Sequence, residues 1–146
     1  MTKGKTKKKQ KISFKLIRVE LLESTIKHPQ KQLPEKITFP FNINLEYRIN
    51  LDRKFVFVVT SINVSNENDK ETLFGYITTS CNFEIQNLDD FIEKDKGKVD
   101  FPEEILHTLN SIAVSTTRGI MFSQFRGTFL HHAYLPLIDP KSFKVN

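Results

Sequence analysis

Residues 41–86, FNINLEYRINLDRKFVFVVTSINVSNENDKETLFGYITTSCNFEIQ, decide the fold. In residues 41–50 the side chains alternate: Phe41, Ile43, Leu45, Tyr47 and Ile49 share one face, while Asn44, Glu46 and Arg48 share the other. The turn LDRK follows. Residues 54–65, KFVFVVTSINVS, are β-branched and aromatic throughout, the composition of a central strand. After NENDK, residues 71–86 give another strand, with Leu73, Ile77, Cys81, Phe83 and Ile85 on one face. Connections this short predict an antiparallel meander.

Upstream, residues 12–22, ISFKLIRVELL, read as one more strand. Phe14 and Leu16 alternate, then Val19 and Leu21; the parity slips at Ile17–Arg18, which predicts a bulge. Residues 23–40 hold Pro29, Pro34 and Pro40 and read as a long crossing loop. Downstream, LDDFIEKDKGKVD is a charged connector with a short helical turn expected at 88–94.

A helix then begins. Pro102 suits its first position, Glu103 and Glu104 suit its positive end, and Gly127 suits its stop. Ile105, Leu109, Ile112, Thr116 and Ile120 form one stripe, widened by Leu106 and Ala113 to cover a sheet. Ser111, Ser115 and Gly119 form a second stripe of small residues, and Val114, Met121 and Phe125 lie on a further side. A helix apolar or small on most sides calls for cover on most sides, and one sheet supplies only one. Ser111, Ser115 and Gly119 are therefore the expected oligomer interface; the alternative is a helix half-hidden by the chain that follows it. The expected fold is α+β: a four-stranded antiparallel sheet followed by a long C-terminal helix.

The charge is unevenly placed. Of 22 basic residues, six are lysines within the first eleven positions, MTKGKTKKKQK, which leaves sixteen against seventeen acidic residues. Such a run cannot bury apolar area, so residues 1–11 are expected to be a disordered tail and residues 12–146 a single domain. A nucleic-acid arm is one use of such a tail. No aromatic interleaves the lysines and no basic patch continues into the body, so nucleic acid is not the expected partner. The uncharged runs at 105–117 and 127–138 are too short to span a bilayer, and ISFKLIRVE is broken by Lys15, Arg18 and Glu20. Neither membrane insertion nor a signal peptide is expected. The single cysteine, Cys81, excludes a disulfide framework and fits a reducing, cytoplasmic compartment.

No catalytic constellation stands out. His131 and His132 are adjacent and point apart on an extended chain, without a ligand at helical spacing, so no metal site is expected. Cys81 lies on the apolar parity of its strand, as a structural thiol would. Phosphate loops and nucleophile elbows are missing from the sequence, and no cofactor or enzymatic activity is expected.

The order of elements, with particular residues, resembles the SecB family of export chaperones over about residues 12–143. ISFKLIRVELLES is similar to the family's first strand, and ETLFGYITTSCNFEIQNLDDF to its fourth strand and the step beyond, including an E-T-x-F opening. The sharpest likeness is R-G-T-F, here Arg126, Gly127, Thr128 and Phe129, followed seven residues later by Pro136. The wording SIAVSTTRGIMF is nearer to a divergent SecB-like branch. The resemblance implies a homotetramer, a dimer of dimers with long helices packed between sheets. It implies an ATP-independent holdase for unfolded or nascent clients in protein export, or a chaperone dedicated to one partner such as a toxin–antitoxin system. Weak contacts in several grooves add up through multivalency. Client-binding candidates are Ile26, Leu33, Ile37 and Phe39 of the crossing loop, Phe41 and Tyr47, and Met121, Phe125, Phe129, Tyr134 and Leu135 near the end. For each, core or interface is an equal alternative. Export members dock the SecA motor through outer-sheet carboxylates. The matching positions here are Glu23, Lys27, Gly75 and Ile77, and only Glu23 keeps an acid for partner docking. SecA is therefore not carried over as a partner.

Overall fold

The computed structural model describes residues 11–69, 71–93, 98–133 and 135. The meander appears where the alternation put it. Strands β1 (Phe14–Ile26), β2 (Phe41–Asn50), β3 (Phe55–Ser65) and β4 (Leu73–Ile85) form one antiparallel sheet in the order β1-β4-β3-β2. The β-branched segment and its successor are the two central strands. The crossing loop carries the chain from one edge of the sheet to the other. Its ends are pinned by Lys27 N–H donating to the Phe74 carbonyl (2.8 Å) and Ser65 N–H donating to the Pro40 carbonyl (3.0 Å). A short 3-10 turn (Leu88–Phe91) follows the sheet. A two-residue pairing comes next, β5 (Ile92–Glu93) with β6 (Lys98–Val99), which the charged connector did not foretell. Helix α1 (Glu103–Phe125) then packs across β3 and β4.

The predicted bulge at Ile17 is present, and a second occurs at Leu22. With parity restored twice, β1 runs to Ile26 instead of ending at residue 22, pairing Glu23–Ile26 with Thr78–Gly75. Ile26 is thus a strand residue, not part of the loop. Pro102 lies one place earlier than expected, as the residue before the helix, with an extended ψ of 149°. Gly127, at φ +78°, supplies the left-handed residue that ends the helix.

Cross-strand rows organise the helix-facing side: Leu16–Phe83–Val56–Ile49, Val19–Cys81–Val58–Tyr47, Leu21–Thr79–Thr60–Leu45 and Ser24–Ile77–Ile62–Ile43. Their central members are buried, and α1 closes over them with Ile105, Leu109, Ala113, Thr117, Met121 and Phe125. The covering stripe is therefore rotated from the expected one. Ile112, Thr116 and Ile120 are half-buried on its flank, whereas Val114, Met121 and Phe125 lie inside. The physical reason is that residues 128–133 and Leu135 fold back against the helix and bury a side that the sheet does not reach. Each fully buried Leu, Ile or Phe contributes about 1.5–3 kcal/mol of burial.

Polar links fix the helix on the sheet. The Thr79 and Thr117 hydroxyls are 2.7 Å apart, and Thr117 also donates to the Ala113 carbonyl at 2.7 Å, so Thr79 is the donor to Thr117. Tyr47 donates to Asn110 Oδ1 at 2.5 Å, tying edge strand β2 to the middle of α1.

Candidate apolar binding site

The site is built from the C-terminal end of α1, the turn after it, and the crossing loop. Gly75 of β4 allows their close approach. A Cβ there would lie 2.8 Å from Leu130 Cδ1, 3.1 Å from the Thr25 carbonyl and 3.3 Å from Phe125 Cζ. Next to it, Phe74 joins the loop to the post-helix turn. Its ring meets Phe39 edge-on at 6.0 Å and Phe129 edge-on at 5.4 Å, and Phe129 in turn meets His28 at 5.6 Å.

Two hollows flank this aromatic chain. One, of about 320 Å³, lies between the last turns of α1 and the segment after it. Its wall is largely apolar, with Met121, Phe122, Phe125, Leu130, Ala133 and Leu135. Arg118 closes one side through a hydrogen bond from Nε to the Leu135 carbonyl at 3.2 Å. In the same wall His131 Nδ1 is a buried nitrogen without a hydrogen-bond partner. The other hollow, of about 510 Å³, lies between the crossing loop and the β3–β4 connection, with Lys27, His28, Lys31, Leu33, Asp69 and Phe74 around it. Asp69 accepts from the Thr72 hydroxyl and the Glu71 N–H. Those bonds hold its carboxyl below the usual carboxylate range.

The structure brings together some of the residues singled out in the sequence. Leu33, Phe39 and Phe129 converge around Phe74; Met121, Phe125 and Leu135 converge on the smaller hollow. Met121, Phe125 and Leu135 are nevertheless 1%, 1% and 4% exposed, so they form its floor within the protomer core and not an open surface. Ile26, Ile37 and Phe41 are half-buried against the core. Tyr47 stands apart from both hollows as the strut to Asn110, and burial pushes its phenol pKa well up. Tyr134 lies outside the described residues. Phe74 and Phe122 were not singled out. Phe74 hides in a strand whose parity breaks at Phe74–Gly75, both buried; Phe122, 47% exposed, lies off both helix stripes read from the sequence.

Ser111, Ser115 and Gly119 lie on the outer side of α1. Ser115 and Gly119 are exposed, and no atom comes within 4 Å of a Cβ built at Gly119. Glu23 is exposed on the sheet face away from α1 and accepts from the Tyr76 hydroxyl. Two of the positions matched to outer carboxylates do not lie there. Ile77 is a fully buried core residue on the helix side, and Gly75 is packed under Leu130. Strand period explains the correction: the outward neighbours are Tyr76 and Thr78, one residue off.

Among the described residues no group of three His, Cys, Asp or Glu side chains could hold a metal ion. His131 and His132 instead stack edge-on at 4.9 Å. Cys81 is buried, and burial raises its thiol pKa against a smaller opposing bond with Thr116. No helix among the described residues is long and apolar enough to cross a membrane.

Four antiparallel strands, a crossing loop after the first, and one long helix after the last make this a SecB-like fold. A solved structure supports that class. The chain is similar to the Mycobacterium tuberculosis SecB-like chaperone Rv1957, solved in complex with a ChAD peptide from the HigA1 antitoxin, with a TM-score of 0.53 and 11% identity over 85% of this chain and 83% of that one. No protein-family model matches the sequence, and no curated protein matches it.

Proposed function

We propose that the protein is a chaperone that holds non-native or extended segments of client proteins without nucleotide. The observation that carries this reading is the apolar hollow over Phe125 and Leu130, with a second hollow beside Phe74, whose ring meets Phe129. An extended client presents an apolar side chain every second residue. The smaller, apolar hollow accepts such a side chain, and the larger one, where Lys27, His28, Lys31 and Asp69 stand beside Leu33 and Phe74, accepts the polar groups between them.

The similar SecB-like chaperone was solved with an antitoxin peptide, which favours a dedicated client over general export. The matched positions point the same way, since Glu23 is the sole acid among them and is already bonded by Tyr76.

Oligomerisation belongs to this proposal. β1 is an edge strand with Leu16, Ile17, Val19, Leu21 and Leu22 between 39% and 52% exposed, an aggregation liability unless covered. Pairing of β1 edges between copies, with the Ser111–Ser115–Gly119 side of α1 meeting another helix, would make a dimer of dimers in which that helix borders the smaller hollow, since Ser115 and Gly119 also line it.

The test is an aggregation-suppression titration without ATP, using the full-length protein and a form lacking residues 1–11. Suppression by both, levelling off near one assembly per client, is expected. If neither form suppresses aggregation, general holding is wrong. If a form without the tail alone fails, the lysines and not the hollows bind the client.

A further inference from the structure

The sheet face turned away from α1 has a site of different character. Cross-strand partners share a face, so the registers lay it out in rows. One row runs Arg18–Asn82–Phe57–Arg48 across all four strands. Beside it lie Lys15–Glu84–Phe55–Asn50 on one side and Glu20–Ser80–Val59–Glu46 on the other. Near the β2–β3 turn these rows enclose a groove of about 380 Å³, with Ile17, Arg18, Arg53, Phe55, Phe57 and Asn82 around it.

The floor is apolar. Phe55 and Phe57 are half-buried and meet edge-on at 6.3 Å, and Ile17, extruded by the bulge, is 41% exposed. The rim is cationic. Asn50 Oδ1 accepts the Arg53 N–H at 3.2 Å and so fixes the turn that carries Arg53. The Arg53 guanidinium itself has no hydrogen bond or ion pair among the described residues. Arg18 meets Glu20 through one nitrogen at 3.0 Å, and its side chain stays 66% exposed. The Asn82 amide oxygen accepts from the Ser80 hydroxyl at 2.9 Å, which leaves its NH2 as a further donor. No carboxylate side chain lines the groove.

We propose that this groove docks an acidic linear segment of a partner protein, with an aromatic or aliphatic side chain on the phenylalanines and neighbouring carboxylates on Arg18 and Arg53. Arginine suits this role because its fork meets a carboxylate through two bonds. Nucleic acid fits less well. Rings at 88° to each other offer no pair of parallel faces for stacked bases. The site lies opposite the hollows, so a docked partner and a held client do not compete for the same surface.

Fluorescence anisotropy tests it with three labelled probes: a short peptide with a central phenylalanine flanked by aspartate and glutamate, the same peptide with lysine at each acid, and single-stranded oligothymidine. The acidic peptide is expected to bind full-length protein, more weakly as salt rises, and the lysine peptide not to bind. Arg53→Glu should weaken acidic-peptide binding by roughly tenfold or more, as loss and reversal of a close charge pair does. Arg53→Lys should keep part of it, and a form lacking residues 1–11 should bind as the full chain does. Both Arg53 variants should retain the far-ultraviolet circular dichroism and aggregation suppression of the parent. The proposal is overturned if the acidic peptide does not bind or if Arg53→Glu leaves its affinity unchanged. Binding that vanishes with residues 1–11 would assign it to the lysine tail. Oligothymidine binding lost in Arg53→Glu, with no peptide binding, would assign the groove to nucleic acid.

Discussion

Tyr47→Phe separates a residue that holds the fold from one that holds a client. The phenol donates to Asn110 Oδ1 at 2.5 Å, and Asn110 is 1% exposed, so water cannot readily replace the lost donor. Leaving a buried amide oxygen unpaired costs about 1–3 kcal/mol. With a urea dependence of about 1–3 kcal/mol per molar for a small domain, the unfolding midpoint should fall by roughly 1 M at unchanged slope. Alkaline pH supplies a second handle. Burial raises the Tyr47 pKa above the ordinary tyrosine value of about 10. The unfolded chain therefore loses this proton first. The stabilisation is fully present below pH about 10 and is lost as pH rises toward the raised folded value. The difference between parent and variant should narrow in that range. Aggregation suppression per folded molecule should be unchanged, because Tyr47 borders neither hollow. An unaltered urea midpoint together with lost client capture would refute the strut and return Tyr47 to the client surface.

Four further expectations concern packing and assembly. Thr60 is fully buried with no partner for its Oγ1, so Thr60→Val should stabilise by about 1 kcal/mol in urea titration. Thr117→Val, which orphans the Thr79 hydroxyl, should destabilise by about 1–3 kcal/mol. Gly75→Ala drives a methyl to 2.8 Å from Leu130 Cδ1 and against strand backbone, and should lower stability by about 1–3 kcal/mol while weakening client capture. Leu21→Lys places a charge on the uncovered strip of β1. It should leave helix content intact but shift the mass measured by light scattering to a smaller species.

Much of the fold is legible because β2 alternates cleanly, β3 is β-branched and aromatic throughout, and β4 alternates over most of its length. Residues 41–50, 54–65 and 71–86 give β2, β3 and β4 nearly to the residue, and Cys81 falls on the buried side as its parity requires. β1 is less legible because an outward bulge erases period two. Ile17 announces itself by the slip at Arg18, but Leu22 sits among Leu21, Glu23 and Ser24, where an apolar residue followed by polar ones reads as a strand ending. The helix stripe misleads for another reason. Ile112 and Ile120 are as apolar as the true covering residues, and Thr116 matches Thr117. Which stripe faces the sheet is decided by chain folding back from Thr128 to Leu135, and such a contact leaves no periodicity in the helix itself.

The site shows the same limit from the other side. Its loop and post-helix residues could be singled out by composition, but their convergence depends on Gly75, whose missing side chain lets Phe125 and Leu130 reach the sheet. Nor does periodicity distinguish an apolar side chain that fills a core from one that awaits a partner. Leu16, Val19 and Leu21 share a face with Phe83, Cys81 and Thr79, yet remain 39–41% exposed while those three are fully buried. The difference lies in where α1 runs: it crosses β3 and β4 and scarcely reaches β1. The sheet's helix-facing surface is thus wider than the single helix of its own protomer, and the uncovered width is apolar. In the proposed assembly a second helix or strand from another copy would complete that surface without changing a residue of the core, and the proposed client hollow over α1 and the assembly edge would share that face of the sheet.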